Sequence, residues 1–212
     1  MYKHPLINRD KMTPREALDI LIEGNQRFLN NDTEQKDLKK LVDLTKNAQH
    51  PFAAILSCSD SRAPTEYIFD QALGDIFSVR LAGNIASKKA IGSLEFACKY
   101  LGTKLVVVLG HSGCGAVKAA CDNYQGGHIG EIIRLITPAV ELEKSTNEER
   151  NSMNSEFLAK VCELNVDVQI QQILLRSTIL QEMLAKKEIG IVGGVYDLTT
   201  AKVQFIEKDL IF

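Results

Sequence analysis

The sequence predicts an α/β fold: a central, mostly parallel β-sheet flanked by helices, with an N-terminal helical extension. Three observations predict it. Short, continuously apolar runs recur along the chain, foremost Phe52-Ala53-Ala54-Ile55-Leu56-Ser57 and Leu105-Val106-Val107-Val108-Leu109, and such runs suit strands covered on both faces. Helical patterns separate the strands, which implies right-handed βαβ crossovers. The two strongest runs also end at chemically active residues, Cys58-Ser59-Asp60-Ser61-Arg62 and His111-Ser112-Gly113-Cys114-Gly115. In open α/β sheets, sites are built at the carboxyl ends of strands.

The elements follow in order. Thr13-Pro14-Arg15-Glu16 opens the first helix, with Thr13 as N-cap, Pro14 in the first turn and Glu16 completing a capping box. Ala17, Leu18, Leu21, Phe28 and Leu29 fall near helical spacing, so the helical arm runs over about 13–30. Asn30 to Asn47 is polar and irregular, with a short helix around Leu38 to Leu44. After the first strand, Pro64 to Phe69 reads as a short helix and Asp75 to Arg80 as a second strand. Ser87 to Leu101 is an amphipathic helix leading back to the strand before His111. Helical patterns then cover Ala116 to Asn123 and Glu131 to Glu143, and Ser145 to Asn154 is loop-like. A long helix spans about Phe157 to Ala185, with a break placed near Asn165. Ile189 to Val195 is a last core strand, paired with Lys202 to Ile206 through a turn at Asp197 to Ala201.

Composition sets bounds. A chain of 212 residues with 45% apolar content is expected to form one domain, 1–212, with a substantial core. The net charge of −2 and scattered basic residues argue against nucleic acid as a partner. No apolar run is long enough to span a membrane. The first residues lack a signal-peptide layout, and five cysteines show no disulfide framework, so a reducing, cytoplasmic setting is expected.

His111 and Cys114, three apart at a strand-to-helix turn, make half of a zinc site, and Cys58 supplies a third ligand from the neighbouring strand end. Three protein ligands leave a fourth position for water, which is the catalytic pattern; closed structural sites normally take four ligands, and no second Cys-x-x-Cys pair exists here. Asp60 and Arg62 follow Cys58 closely enough to border the open position. Beside a zinc ligand, an ordinary surface ion pair is the weaker account of them.

Cys58-x-Asp60-x-Arg62 together with His111-x-x-Cys114-Gly115 resembles the signature of the β-class carbonic anhydrases, and the similarity extends from about Gln49 to Asp197. The resemblance implies an enzyme with Zn2+ as its cofactor: reversible hydration of carbon dioxide to bicarbonate and a proton by zinc-bound hydroxide. Two thiolates cancel the metal's charge and leave it a weaker acidifier of water than three imidazoles would. A neighbouring acceptor must therefore orient the hydroxide, and Asp60 fits that role. A bidentate Arg62 holds the Asp60 carboxylate away from the metal; released, Asp60 could close the fourth position, as in some members of the family.

The resemblance also carries a substrate pocket by position: Gln49 as a donor to substrate, and Phe77, Ala82 and Phe96 as the apolar wall. Phe96 stands where a tyrosine is common. It further implies a homodimer or homotetramer in which the N-terminal helix packs across a partner. Members with a bicarbonate inhibitory site use a tryptophan, an arginine and a tyrosine; Arg80 and Tyr196 match, but Ile55 takes the tryptophan's place and the chain has no tryptophan. His4, His50 and His128 are shuttle candidates by residue type only. Cys98, Cys121 and Cys162 read as buried fillers. Competing readings are hydrolysis of carbonyl sulfide or carbon disulfide on the same zinc, and a zinc-stabilised scaffold without turnover, against which the Asp60–Arg62 pair argues. A cysteine phosphatase fails because its loop needs five residues between cysteine and arginine, and only three separate Cys58 from Arg62.

Overall fold

The sheet has five strands in the order β2-β1-β3-β4-β5, in a computed structural model that describes residues 9–211. They are β1 (Ala53–Ser57), β2 (Ile76–Arg80), β3 (Leu105–His111), β4 (Gly190–Tyr196) and β5 (Val203–Ile211). The first four run parallel, and β5 returns antiparallel along β4. The expected mostly parallel sheet is present. Every residue of β1 and β3 is buried, as their unbroken apolar sequences require.

Strand alternation divides the core between the two faces. Ala54, Leu56, Val106 and Val108 pack under α4 (Lys88–Lys99), α7 (Ser155–Arg176) and α8 (Thr178–Ala185). Ala53, Ile55, Leu105, Val107 and Leu109 face Ala17, Leu18 and Leu21 of α1 (Pro14–Leu29). That helix begins with the expected capping box: Glu16 N donates to Thr13 Oγ1 at 3.2 Å, and Thr13 N donates to Glu16 Oε2 at 2.7 Å. Asp70, buried where α3 (Thr65–Ile68) ends, ties Arg27 and Lys36 to the sheet layer. A short α2 (Leu38–Thr45) lies between, capped by Asp37.

Three boundaries differ from expectation. The long C-terminal helix breaks at Ser177, whose hydroxyl caps α8 and donates to Glu95 at 2.6 Å, and not near Asn165. Asn165 sits mid-helix, wholly buried and hydrogen-bonded. The helix α6 (Gly127–Leu142) starts earlier than Glu131, because Gly126 at φ 152° turns the chain into it, and it carries Pro138 within its span. β5 extends beyond Ile206 to Ile211. Short α5 (Gly115–Cys121) follows the second motif, and Cys98, Cys121 and Cys162 are buried among apolar side chains as expected.

Register is what positions the site. Ser57 stands beside Leu109 of β3 and Arg80 of β2, so Cys58 and His111 emerge together at the carboxyl edge. No helix among the described residues is long and apolar enough to cross a membrane.

Candidate active site

At that edge Cys58, His111 and Cys114 come together, with their ligand atoms all within 4.8 Å of one another. All three are buried. Cys58 is the first residue after β1, His111 ends β3, and Cys114 precedes α5. Gly113, at φ 63°, makes the tight turn that returns Cys114 toward His111. The two sulfurs lie 3.8 Å apart.

His111 Nδ1 lies 3.0 Å from the Ser112 carbonyl oxygen, which only a protonated Nδ1 can satisfy. The Nε2 lone pair is then free to bind a cation, and Nε2 is buried with no hydrogen-bond partner among the described residues. A carbonyl fixing one ring nitrogen while the other faces two sulfurs is how ligating histidines are oriented. Two thiolates and an imidazole suit zinc. The donor set therefore fits the ion.

The charges are coupled. A hydrogen bond from the Cys114 thiol pulls the Cys58 thiol far below its usual range, and the same bond holds the Cys114 thiol up. Burial alone would lower the His111 pKa, but the Cys58 sulfur, the Ser112 carbonyl and Asp60 together outweigh it and raise it. Two backbone supports frame Cys58: Arg80 Nε donates to its carbonyl at 3.0 Å, and Gly83 N–H reaches its sulfur at 3.4 Å.

Asp60 lies beside this group. Its Oδ2 is 3.9 Å from His111 Nε2 and 2.8 Å from Arg62 Nη2, while Oδ1 accepts from Arg62 N and Nε at 3.0 Å each. Arg62's hydrogen bonds hold the Asp60 carboxyl well below the usual carboxylate range, against the opposing effect of burial. Asp60 is largely shielded, whereas Arg62 is open to solvent.

The carbonic anhydrase family model matches residues 53–203, which contain all five of these residues. The chain belongs to the β-class carbonic anhydrases. A carbonic anhydrase of Mycolicibacterium smegmatis is 35% identical over 198 residues, covering 90% of this chain and 92% of that protein. Carbonic anhydrase 2 of Mycobacterium tuberculosis is 34% identical, covering 87% and 89%. Among solved structures, a β-carbonic anhydrase of Aspergillus fumigatus superposes with a TM-score of 0.71 at 26% identity over 80% of this chain and 81% of that one. A Coccomyxa β-carbonic anhydrase, solved in complex with acetazolamide, gives 0.70 at 25% identity over 89% and 86%.

Within this β-carbonic anhydrase chain the expected pocket residues separate. Ala82, half-buried, adjoins Gly83 and so borders Cys58. Gln49 is exposed before β1, at the opposite end of a strand about 17 Å long. Phe77 pairs with Ala54 near that same end, and its ring lies 6.3 Å from that of the half-exposed Phe96. Of the histidines, His50 is in the loop before β1, His128 is exposed beside Glu131, and His4 lies outside the described residues. Sequence reasoning missed Gly83 as a contact of Cys58. The Gly83-Asn84 pair signals a turn but not what the turn touches.

Proposed function

We propose that this chain catalyses the reversible hydration of carbon dioxide to bicarbonate and a proton, with Zn2+ held by Cys58, His111 and Cys114. The observation that carries the reading is the unpartnered His111 Nε2 facing two cysteine sulfurs. In that set the ion supplies the Lewis acidity that makes water a nucleophile near neutral pH. Asp60 Oδ2, 3.9 Å from His111 Nε2, would accept a hydrogen bond from a water held beside the donor set and so orient its lone pair toward the substrate carbon. Arg62 keeps Asp60 in that role by occupying both carboxylate oxygens. Loss of this clamp frees Asp60 to turn toward the ligands and shut out water.

Ala82 forms part of the apolar wall against carbon dioxide. Gln49, Phe77 and Phe96 act only when a second chain presents them, since within one chain they lie at the far end of the sheet. That agrees with a homodimer or homotetramer formed by one 1–212 domain, and the related Sordaria macrospora β-carbonic anhydrases are tetrameric. None of the five cysteines is in a disulfide, which suits a reducing, cytoplasmic compartment. The test is zinc content measured together with stopped-flow carbon dioxide hydration. One zinc per chain with rapid hydration is expected; an active protein without bound metal would overturn the reading.

A further inference from the structure

The segment after β2 is clamped from one side by a single helix. Asn165 Nδ2 donates to the Gly83 carbonyl at 3.0 Å, Gln169 Oε1 accepts from Ala86 N at 2.8 Å, and Arg176 Nη1 donates to the Ala86 carbonyl at 2.9 Å. All three side chains come from α7. Asn165 and Gln169 are one helical turn apart, wholly buried, and joined to each other at 2.9 Å. Gln169 also donates to the Leu135 carbonyl at 3.0 Å, which anchors the pair to α6.

The clamped segment needs holding. Gly83 at φ 72° and Asn84 at φ 45° are two successive left-handed residues; glycine takes that conformation freely, but at Asn84 it carries a cost that the surroundings must offset. A Cβ at residue 83 would lie 2.6 Å from Ile136 Cδ1 and would sit on a backbone at φ 72°, so glycine is favoured there. What this conformation achieves is the approach of Gly83 N–H to Cys58 Sγ at 3.4 Å. Polar side chains are expensive to bury in a helix facing an apolar core, so a satisfied pair there marks a specific task.

We propose that Asn165 and Gln169 are positioning residues that hold Gly83 N–H on the Cys58 sulfur and thereby tune that thiolate as a metal ligand. This rests on the reading of Cys58 as a ligand. A hydrogen bond to a thiolate draws charge from the sulfur, so the metal it binds remains a stronger Lewis acid. Asn165 acts through the Gly83 carbonyl, and Gln169 acts through Asn165 and Ala86.

The test uses the whole chain loaded with cobalt(II) or with cadmium-113. In the unaltered cadmium protein, a through-bond coupling should join the metal to the Gly83 amide proton, because the path N–H···S–Cd is continuous. In the cobalt protein, Asn165→Ala should move the sulfur-to-cobalt charge-transfer band to longer wavelength, because the thiolate becomes a stronger donor. Ile170→Ala, which removes apolar packing from the same helix but none of the clamping hydrogen bonds, should lower the melting temperature and leave the band in place. Absence of the Gly83 coupling, or an unmoved band in Asn165→Ala, overturns the positioning role alone. A protein with no sulfur-to-cobalt band at all overturns the ligand reading with it. The cadmium measurement needs no variant, so a failure of Asn165→Ala to fold leaves the proposal open to refutation.

Discussion

Arg62 grips both carboxylate oxygens of Asp60, at 3.0 Å and 2.8 Å, while Asp60 Oδ2 stands only 3.9 Å from His111 Nε2. The carboxylate thus lies between a solvent-open cation and a buried donor cluster, and on the gating reading proposed above the guanidinium decides which one it serves. Arg62→Ala should lower hydration at neutral pH by releasing Asp60 toward the cluster. Asp60→Asn keeps a hydrogen-bond acceptor but loses the charge, and should lower kcat about a hundredfold. Full neutral-pH activity in Arg62→Ala would show that the pair has no gating part.

Removing a ligand should act through metal content. Cys114→Ser is expected to weaken zinc binding by more than about a hundredfold, since even supporting residues of such sites cost ten- to a hundredfold. Elemental analysis after dialysis checks this, and full zinc occupancy would sink the assignment.

Thiol reactivity should sort the cysteines. Burial pushes the Cys98 thiol up to about 12 and, as the largest cause, the Cys121 and Cys162 thiols to about 11, so all three stay protonated at pH 8. After chelation, Cys58 should be alkylated first because its thiol lies far below the normal range. Mass mapping of the labelled peptides reads the order; fast labelling of Cys98 in the native fold contradicts it.

Acid should weaken the loop after α6 through Glu143. Hydrogen bonds from Ser145 above all, with Arg150 at 2.7 Å, hold its carboxyl down to about 2. A depressed carboxylate adds stability that is complete above its unfolded value of about 4.3 and is lost as pH falls through the folded one. The stability difference between the native chain and Glu143→Gln should therefore shrink between about pH 4.3 and about 2. Urea midpoints along that range measure it, and a constant gap would refute it.

Bicarbonate should inhibit only as a product. Ile55 is wholly buried and offers no donor, and Arg80 is committed to the carbonyls of Cys58 and Asp60 at 3.0 Å and 2.6 Å. Hydration rates against bicarbonate at fixed pH and ionic strength should fall hyperbolically. A sigmoidal loss abolished by altering Tyr196 would show a regulatory pocket that survives without tryptophan.

Much of the fold was readable because its strands are unbroken apolar runs and its first helix is capped by local rules. The meeting of Cys58, His111 and Cys114 was readable because they sit at the ends of two such runs. Asn165 misled because a polar residue in a helix pattern looks like a break, whereas its partner, the Gly83 carbonyl, is 82 residues away. Ser177 hid for the opposite reason: serine breaks and caps helices, but nothing local marks this one above other serines. Gln49, Phe77 and Phe96 share one motif-derived expectation, yet strand direction carries them away from Cys58, and no single-chain pattern records that.

Cys58 and Cys114 are 56 residues apart in the chain, and they meet only where β1 pairs with β3. That pairing is parallel and must wait for the whole excursion through β2 and α4 to fold back. Loop closure over such a span is slow and entropically costly. A metal held by these residues could not template this protein as it templates a zinc finger, whose ligands are close neighbours. On the zinc reading proposed above, capture during synthesis or refolding would come last and act as a clock: uptake would mark the moment when the centre of the sheet has closed.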